Sequence, residues 1–141
     1  MKARMLTKET ILNYGQTDRG FPAFRVGDTI DVSQVIKEGE KERIQQFAGE
    51  VIAIRTHGIS STFTVRKMGA NSIGVERIFP YYSPNVSKIE FLKRGRVRRA
   101  KLSYLSKRLG KAGRVDEKII TKEQRAEIVD ANHVSKSDSS K

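Results

Sequence analysis

The feature that most restricts the fold is a run of basic residues between Phe91 and Val115 that contains no acidic residue. The run holds ten of the 28 Lys and Arg residues and almost all of the formal net charge of +12. Side chains of one sign this close together repel one another unless a polyanion is near, so the run cannot form a core. We therefore expect a folded body made by other residues and a basic extension attached to it. The ten residues are Lys93, Arg94, Arg96, Arg98, Arg99, Lys101, Lys107, Arg108, Lys111 and Arg114.

The spacing within this run predicts an extended first half and a helical second half. Arg94, Arg96 and Arg98 alternate as they would on one side of an extended chain. From about residue 99 leucines recur at helical spacing, and basic residues lie opposite them. The leucines would dock on protein while the planar guanidinium groups face phosphates. The leucines are Leu102, Leu105 and Leu109; opposite them lie Lys101, Tyr104, Lys107, Arg108 and Lys111, and Gly110 marks the helix end.

Two other interpretations of the basic face stay open: a merely solvated surface, or a membrane-surface helix of the kind that pairs Lys and Arg with a bulky apolar side. The helix is short and its apolar face is three leucines wide, which favours nucleic acid over lipid. No run approaches the roughly 18 apolar residues of a membrane span, and the N-terminus lacks the apolar core of a secretory signal. We expect a soluble, intracellular protein with no membrane partner.

Residues 24–92 predict a mainly β body. Five short segments with apolar alternation are separated by turn residues, and no helical pattern lies between them. The segment 47–55 is apolar on both sides, with Val51 against Ile52, which is typical of a central strand buried on two faces. Residues 37–41 predict a charged loop. The pattern favours a small antiparallel SH3-like barrel that closes on itself, with an OB-fold as the alternative.

The predicted domain organisation is one folded domain with extensions. Residues 1–23 form an N-terminal arm with a short helix from Thr7 to Asn13, and residues 24–92 form the barrel. Residues 93–120 form the basic, partly helical extension, and residues 121–141 form a C-terminal tail. The tail begins with a capping box, Thr121 and Gln124, and a short helix to Ala131. Its end is low in hydrophobicity and is predicted to be disordered.

No group of residues predicts catalysis or a metal centre. The chain has no cysteine, and its two histidines, His57 and His133, are far apart in sequence, which disfavours a transition-metal site. The glycines at 110 and 113 lack the preceding strand and the spacing of a phosphate-binding loop. The carboxylates Asp28 and Asp31, beside a turn, are interpreted as capping or solvated groups. We expect no enzymatic activity, no cofactor and no small-molecule substrate.

Seven short motifs, in a fixed order, resemble the family of ribosomal protein nineteen of the bacterial large subunit, in bacteria or an organelle. They are FRVGDT (24–29), FAGEVIAIR (47–55), FTVRKM (63–68), GVERIF (74–79), SP (83–84), RRAKLSYL (98–105) and GKAGR (110–114). The resemblance implies an SH3-like barrel with a basic extension that binds 23S-type rRNA as a structural component in translation. It also implies a place near the subunit interface, where the family contacts small-subunit rRNA in an intersubunit bridge and pairs with the neighbouring large-subunit protein fourteen. A bacterial cytoplasmic ribosome is favoured over an organellar one.

The resemblance also assigns RNA contacts to the basic positions that match the family. Lys93 is added from the basic run, and Tyr104 as an aromatic side chain able to stack on an unpaired base or ribose. For the Tyr81–Tyr82 pair, stacking on RNA and packing in the core both stay open. The first 20 residues match only loosely, and the role of the tail from Thr121 is open. The matching positions are Arg55, Arg66, Lys67, Arg77, Arg94, Arg96, Arg98, Arg99, Lys101, Lys107, Arg108, Lys111 and Arg114.

Two functions of other classes stay open at this level. One is a free RNA- or DNA-binding regulator built on the same kind of barrel, and the other is a membrane-surface or polyanion-binding adaptor. In the ribosomal interpretation, we expect the basic extension to be held in shape only by the RNA that it binds.

Overall fold

A computed structural model describes residues 16–108 and 110–130. The predicted helix from Thr7 to Asn13, the third leucine (Leu109) and the end of the tail lie outside these residues. The strands are β1 (Thr29–Glu38), β2 (Lys41–Arg55), β3 (Thr62–Met68), β4 (Gly74–Pro80) and β5 (Val86–Lys93). Short 3₁₀ turns span Ala70–Ser72, Ser103–Lys107 and Gly110–Gly113, and helix α1 spans Lys122–Asp130.

The five strands form a single antiparallel sheet in the order β4-β3-β2-β1-β5. This confirms the predicted mainly β, antiparallel body. The closed SH3-like barrel is not confirmed, because no ladder joins β4 to β5 in the described residues and the sheet is open there. Apolar alternation determines which side of each strand is buried, but it carries no information on whether the first and last strands of a sheet meet.

Residues 37–41, predicted to be a loop, form the turn end of a long hairpin between β1 and β2. Glu38 pairs with Lys41, and Gly39 between them has a φ of +63°, which allows a two-residue turn to close. An ion pair of 2.9 Å joins Lys37 to Glu42 across the strands. The loop prediction is correct for Gly39 and Glu40, which form the turn, and wrong for Lys37, Glu38 and Lys41, which belong to β1 and β2. Both sides of this ribbon are solvated near its turn, so no apolar alternation marks these three residues as strand.

One face of the sheet carries the main hydrophobic core. β2 contributes to it through Val51, which is fully buried, while the next residue, Ile52, is buried on the opposite face. The predicted burial of this strand on two faces is therefore confirmed. The core consists of Phe21, Ile30, Val32, Phe47, Val51, Phe63, Val65, Phe79, Val86 and Ile89.

Tyr81 packs at the edge of this core, whereas for Tyr82 the choice between packing and stacking on RNA stays open. The Tyr81 ring meets the Phe21 ring edge-on at a centroid distance of 5.4 Å and the Tyr82 ring at 5.0 Å. Burial raises the pKa of the Tyr81 hydroxyl, and Tyr82 and Asp18 add to this rise.

The second buried face depends on an irregularity in β2. The register between β2 and β3 shifts between Val51 and Ala53, which leaves Ile52 outside the ladder, as at a β-bulge. The Ile52 carbonyl is thus free to accept a hydrogen bond from the Leu102 amide at 2.8 Å. The bulge therefore gives the basic extension a backbone attachment point in the middle of the sheet.

Asp28 joins the body to the start of the basic extension. Its carboxylate is buried and accepts hydrogen bonds from the amides of Arg25 (2.8 Å) and Gly95 (3.2 Å) and from the Arg94 guanidinium (3.1 Å). Burial raises the pKa of Asp28, although these N–H groups and Arg94 act to lower it. The interpretation of Asp28 as a solvated or merely capping group is corrected: it is a buried structural acceptor.

Helix α1 begins with the predicted capping box. The backbone N–H of Gln124 donates to Thr121 Oγ1, and the backbone N–H of Thr121 donates to Gln124 Oε1, each at 3.4 Å. This reciprocal arrangement satisfies two backbone N–H groups at the start of the helix. Farther along, the Ile128 carbonyl accepts a hydrogen bond from the Ala23 amide at 3.2 Å. The tail from Thr121 therefore starts as a helix that is attached to the body.

Replacement of Asp28 should destabilise the fold. Asp28→Ala leaves two part-buried amides and the Arg94 guanidinium without their acceptor, and we expect the free energy of unfolding to fall by about 3 kcal/mol. Denaturant titration followed by circular dichroism measures this loss. Asp116→Ala, which removes an exposed carboxylate, should change the value by less than about 0.5 kcal/mol. Equal stability of the two variants would contradict the structural role of Asp28.

Candidate nucleic-acid interface

The basic extension (residues 93–120) leaves the sheet at the end of β5, and its two ends pair with each other. The Arg96 amide donates to the Asp116 carbonyl, and the Lys118 amide donates to the Arg94 carbonyl, each at 2.8 Å. The Val115 amide donates to Glu50 Oε1 on β2 at 3.2 Å. The extension is therefore a loop whose two ends are fixed to each other and to the sheet.

The middle of the extension is attached through two leucines. Leu102 and Leu105 are buried against Ile52, at 0% and 2% exposure, so the predicted docking of these leucines on protein is confirmed. The segment Ser103–Lys107, which follows Leu102 and includes Leu105, is a 3₁₀ turn. This corrects the predicted helix from about residue 99. A turn of this length still brings two residues three positions apart to one side.

Arg66 on β3 holds the same turn through hydrogen bonds from the sheet side. Its residue is 4% exposed, its Nη1 donates to the Leu105 carbonyl, and its Nη2 donates to the Arg108 carbonyl at 3.0 Å. Its Nε lies 3.8 Å from Glu76 Oε1. Gly74 makes room for it, because a Cβ there would be 2.7 Å from Nη2. The structure thus places this predicted RNA-binding residue underneath the extension, where a phosphate does not reach it.

Glu50 lies opposite Arg66 in the register of β2 and β3. It holds the C-terminal part of the extension by accepting a hydrogen bond from the Val115 amide. Burial raises the pKa of the Glu50 carboxyl, and the Val115 amide, Arg66 and Arg114 act to lower it. Protein contacts therefore hold the extension at both ends and in the middle. This differs from the expectation that only bound RNA would hold its shape.

Three further predicted residues have side-chain partners in the protein. Arg94 is largely buried at the joint with the body, Lys93 is exposed in an ion pair, and Arg77 is half-buried over the rings of Phe47 and Phe79. Their polar contacts are Arg94 Nη1 to Asp28 Oδ2 (3.1 Å), Lys93 Nζ to Glu117 Oε2 (2.9 Å) and Arg77 Nη2 to Gln34 Oε1 (2.5 Å).

The remaining basic residues of the prediction are exposed. Within the described part of the chain, most of them make no side-chain hydrogen bond or ion pair, so their charges face solvent or an external anion. Besides Arg99 and Arg108, which lie over the Tyr104 ring, six are on the extension and two on the sheet. They are Arg96, Arg98, Lys101, Lys107, Lys111 and Arg114, together with Arg55 at the end of β2 and Lys67 on β3.

Tyr104 lies at the centre of the extension with two arginines over its ring. The guanidinium carbons of Arg99 and Arg108 are 5.2 Å and 4.8 Å from the ring centroid, within the range of cation–π attraction. Tyr104 is half-buried and packs against the cluster of Leu102 and Leu105. Its predicted position opposite the leucines is therefore only partly correct.

Sequence reasoning missed the residues that attach the extension. Glu50 lies between Gly49 and Val51 on β2, Arg66 follows the buried Val65 on β3, and Asp28 follows a glycine just before β1. A charge in such a place costs free energy unless it has a partner, so the positions themselves were a signal. The identity of the partners was not readable, because they lie tens of residues away.

Fold and surface together define a class: a small, mainly β protein that presents a fixed basic extension, which is typical of structural nucleic-acid-binding proteins. Among the residues that the structure describes, 16–108 and 110–130, no helix is long and apolar enough to cross a bilayer.

Comparison with known proteins gives the family. The model of the family Ribosomal protein L19 matches residues 7–118, so the chain belongs to the ribosomal protein L19 family. This confirms the resemblance seen in the motifs. The Large ribosomal subunit protein bL19 of Sulfurovum sp. (strain NBC37-1) is 59% identical over 100 residues, covering 71% of this chain and 84% of the relative. The proteins of the same name from Helicobacter pylori (strain Shi470) and Helicobacter acinonychis (strain Sheeba) are each 57% identical over 100 residues. Each match covers 71% of this chain and 85% of the relative.

Loss of Arg66 should release the extension without unfolding the sheet. Arg66→Met keeps the length of the side chain but removes its hydrogen bonds to the Leu105 and Arg108 carbonyls. We expect amide exchange at residues 102–108 to become at least tenfold faster, a change of about 1.4 kcal/mol, within the range for hydrogen bonds to charged groups. Hydrogen exchange followed by mass spectrometry measures it.

Lys67→Met is the matched control, since Lys67 is the next residue on β3 and its side chain is exposed. It should leave exchange in the extension unchanged. If Arg66→Met also leaves it unchanged, the leucines alone hold the extension and Arg66 is not required.

Proposed function

We propose that this chain is a structural constituent of the large ribosomal subunit that binds 23S-type rRNA through the outer side of its basic extension. The observation that carries the proposal is that the extension buries its leucines against the sheet and exposes its cations. Leu102 and Leu105 face the protein. In the described residues, six exposed cations of the extension form no side-chain hydrogen bond or ion pair: Arg96, Arg98, Lys101, Lys107, Lys111 and Arg114. Membership of the ribosomal protein L19 family and the names of its relatives support the same role.

The chemistry of RNA fits this surface. Duplex RNA hides its base edges in a deep, narrow groove, so proteins contact its phosphates and 2′-hydroxyls and recognise its shape. Each phosphate contact releases counterions, which supplies affinity without a requirement for sequence. In the proposal, contacts to RNA come from Arg55, Lys67, Lys93, Arg96, Arg98, Arg99, Lys101, Tyr104, Lys107, Arg108, Lys111 and Arg114.

Three of the residues that the sequence analysis predicted to contact RNA have structural roles in the proposal instead. Arg66 and Arg94 are positioning residues, because their guanidinium groups are turned to the Leu105 and Arg108 carbonyls and to Asp28. Arg77 keeps a half-buried guanidinium over the aromatic core and contributes mainly to the rigidity of the sheet.

The proposal includes the finer placement that the family resemblance implies. The body takes the form of an SH3-like barrel and lies near the subunit interface. There it contacts small-subunit rRNA in an intersubunit bridge and pairs with the neighbouring large-subunit protein fourteen. The proposed location is the ribosome in the cytoplasm of a bacterium, and the bacterial sources of the relatives support this choice. The function needs no cofactor, substrate turnover or membrane.

Sedimentation tests the proposal against its alternatives. Lysate is fractionated on sucrose gradients at ordinary and low magnesium, and the chain is detected by immunoblot. We expect nearly all of it to move with 70S particles and then with the large subunit after dissociation. A large pool near the top of the gradient would instead indicate a free regulator. Binding to anionic vesicles that survives nuclease treatment would indicate an adaptor.

Removal of outward charge should weaken RNA binding and lower its salt dependence. For the variant Arg96→Gln, Arg98→Gln and Lys101→Gln, we expect the slope of log Kd against log salt for large-subunit rRNA to become shallower by about 2 to 3, because about three phosphate contacts are lost. Filter binding over a series of salt concentrations measures it, and the circular dichroism spectrum should not change.

A control with the same change in charge uses lysines outside the extension. Lys37→Gln, Lys41→Gln and Lys88→Gln remove three exposed charges from the first hairpin and β5. We expect this variant to keep a slope close to that of the wild type. Equal losses in the two variants would mean that net charge, and not the extension, determines binding.

A further inference from the structure

We infer that Arg99, Tyr104 and Arg108 form a stacking site for one unstacked nucleobase of the bound RNA. The inference rests on the proposed function, since it specifies what part of the RNA this surface receives. It goes beyond phosphate neutralisation, because it assigns recognition of a base to a defined cluster of three side chains.

The geometry of the cluster is the first support. The two guanidinium carbons lie within 5.2 Å of the Tyr104 ring centroid, and both arginine residues are exposed. Neither guanidinium forms an ion pair with a carboxylate in the described residues. Two positive groups beside one ring repel each other, and the ring offsets only part of that repulsion. The cluster is therefore prepared for an external group that is both electron-rich and planar.

A nucleobase of a nucleotide has both properties. Its π-face stacks on an arginine guanidinium or on an aromatic ring, and stacking tolerates every base because each has such a face. Arginine and lysine both bind phosphates, but only the guanidinium also offers a plane on which a base can stack. Lys101 and Lys107, on either side of the tyrosine in the chain, are exposed and suit the phosphates next to the base.

The rigidity of the platform is the second support. Tyr104 belongs to the turn Ser103–Lys107 and packs on the cluster of Leu102 and Leu105. Arg66 holds the carbonyls of Leu105 and Arg108. The main chain that carries Tyr104 and Arg108 is thus fixed before RNA arrives, so ordering these groups adds little entropic cost to binding.

The experiment separates the base from the phosphates. The purified full chain is titrated with an oligoadenylate of about ten nucleotides and with a ribose-phosphate chain of the same length that lacks bases, at low salt. Both probes carry the same number of phosphates. We expect the wild type to bind the oligoadenylate about tenfold more tightly, a typical gain for one base stacked on protein.

The test variant is Arg99→Lys with Arg108→Lys, which keeps both charges but removes both planes. We expect it to bind the two probes with affinities within about twofold of each other, with an unchanged salt slope. The matched control, Arg96→Lys with Arg98→Lys, changes exposed arginines that have no aromatic partner and should keep the tenfold preference. Melting temperatures confirm that all variants are folded.

The possible results distinguish this inference from the proposed function. Equal binding of both probes by the wild type would overturn the stacking site while leaving rRNA binding intact. A preference that persists in the Arg99→Lys, Arg108→Lys variant would also overturn it, because the two arginine planes would then not be needed to hold the base. Failure of the wild type to bind either probe or large-subunit rRNA would instead reject the proposed function.

Discussion

The contact on which the rest of the surface depends is the one between the Arg66 guanidinium and the main chain of the basic extension. A buried guanidinium is costly unless its N–H groups find acceptors, and here the acceptors are the Leu105 and Arg108 carbonyls. The sheet and the extension therefore stabilise each other. Arg66 on β3 supplies the Nη1 and Nη2 donors, and the extension supplies the two carbonyls that accept from them. Arg108, whose carbonyl is held in this way, is left with a side chain free to face outward.

Electrostatics at the attachment points explains how a segment with ten basic residues stays next to its own body. The run from Phe91 to Val115 contains no acid, so the carboxylates that hold its main chain come from the body. Asp28 binds its beginning and Glu50 binds its end, and burial raises the pKa of both carboxyls. Ionised Asp28 and Glu50 are therefore less favourable here than in water, which is the cost of placing a negative group inside the base of a positive loop. In the described residues, the exposed cations Arg96, Arg98, Lys101, Lys107 and Lys111 form no ion pair with an acid of the body.

The sequence predicts the body better than the attachment. Apolar alternation located all five strands and the two-faced burial of Val51 and Ile52, and the capping box at Thr121 located α1. It did not reveal the ends of β1 and β2, where a solvated ribbon has no buried side, or whether the sheet closes. Among the candidate site residues, those on the extension were readable from charge alone. The burial of Arg66 and Arg94 was not, because it depends on Gly74, Glu76 and Asp28, which only the fold brings near.

A fixed extension changes how binding to a polyanion is expected to work. If RNA had to order the whole segment, part of the interaction free energy would be lost in ordering it. Here the bulge at Ile52, two leucines and one arginine have already ordered the main chain, so long cationic side chains are the main parts left to settle. Lysine and arginine heads on a fixed main chain match a fixed spacing of phosphates, and that spacing is the property of folded RNA that differs from one site to another. Rigidity of the main chain is thus the physical basis on which a surface made almost entirely of positive charge can prefer one RNA shape over another.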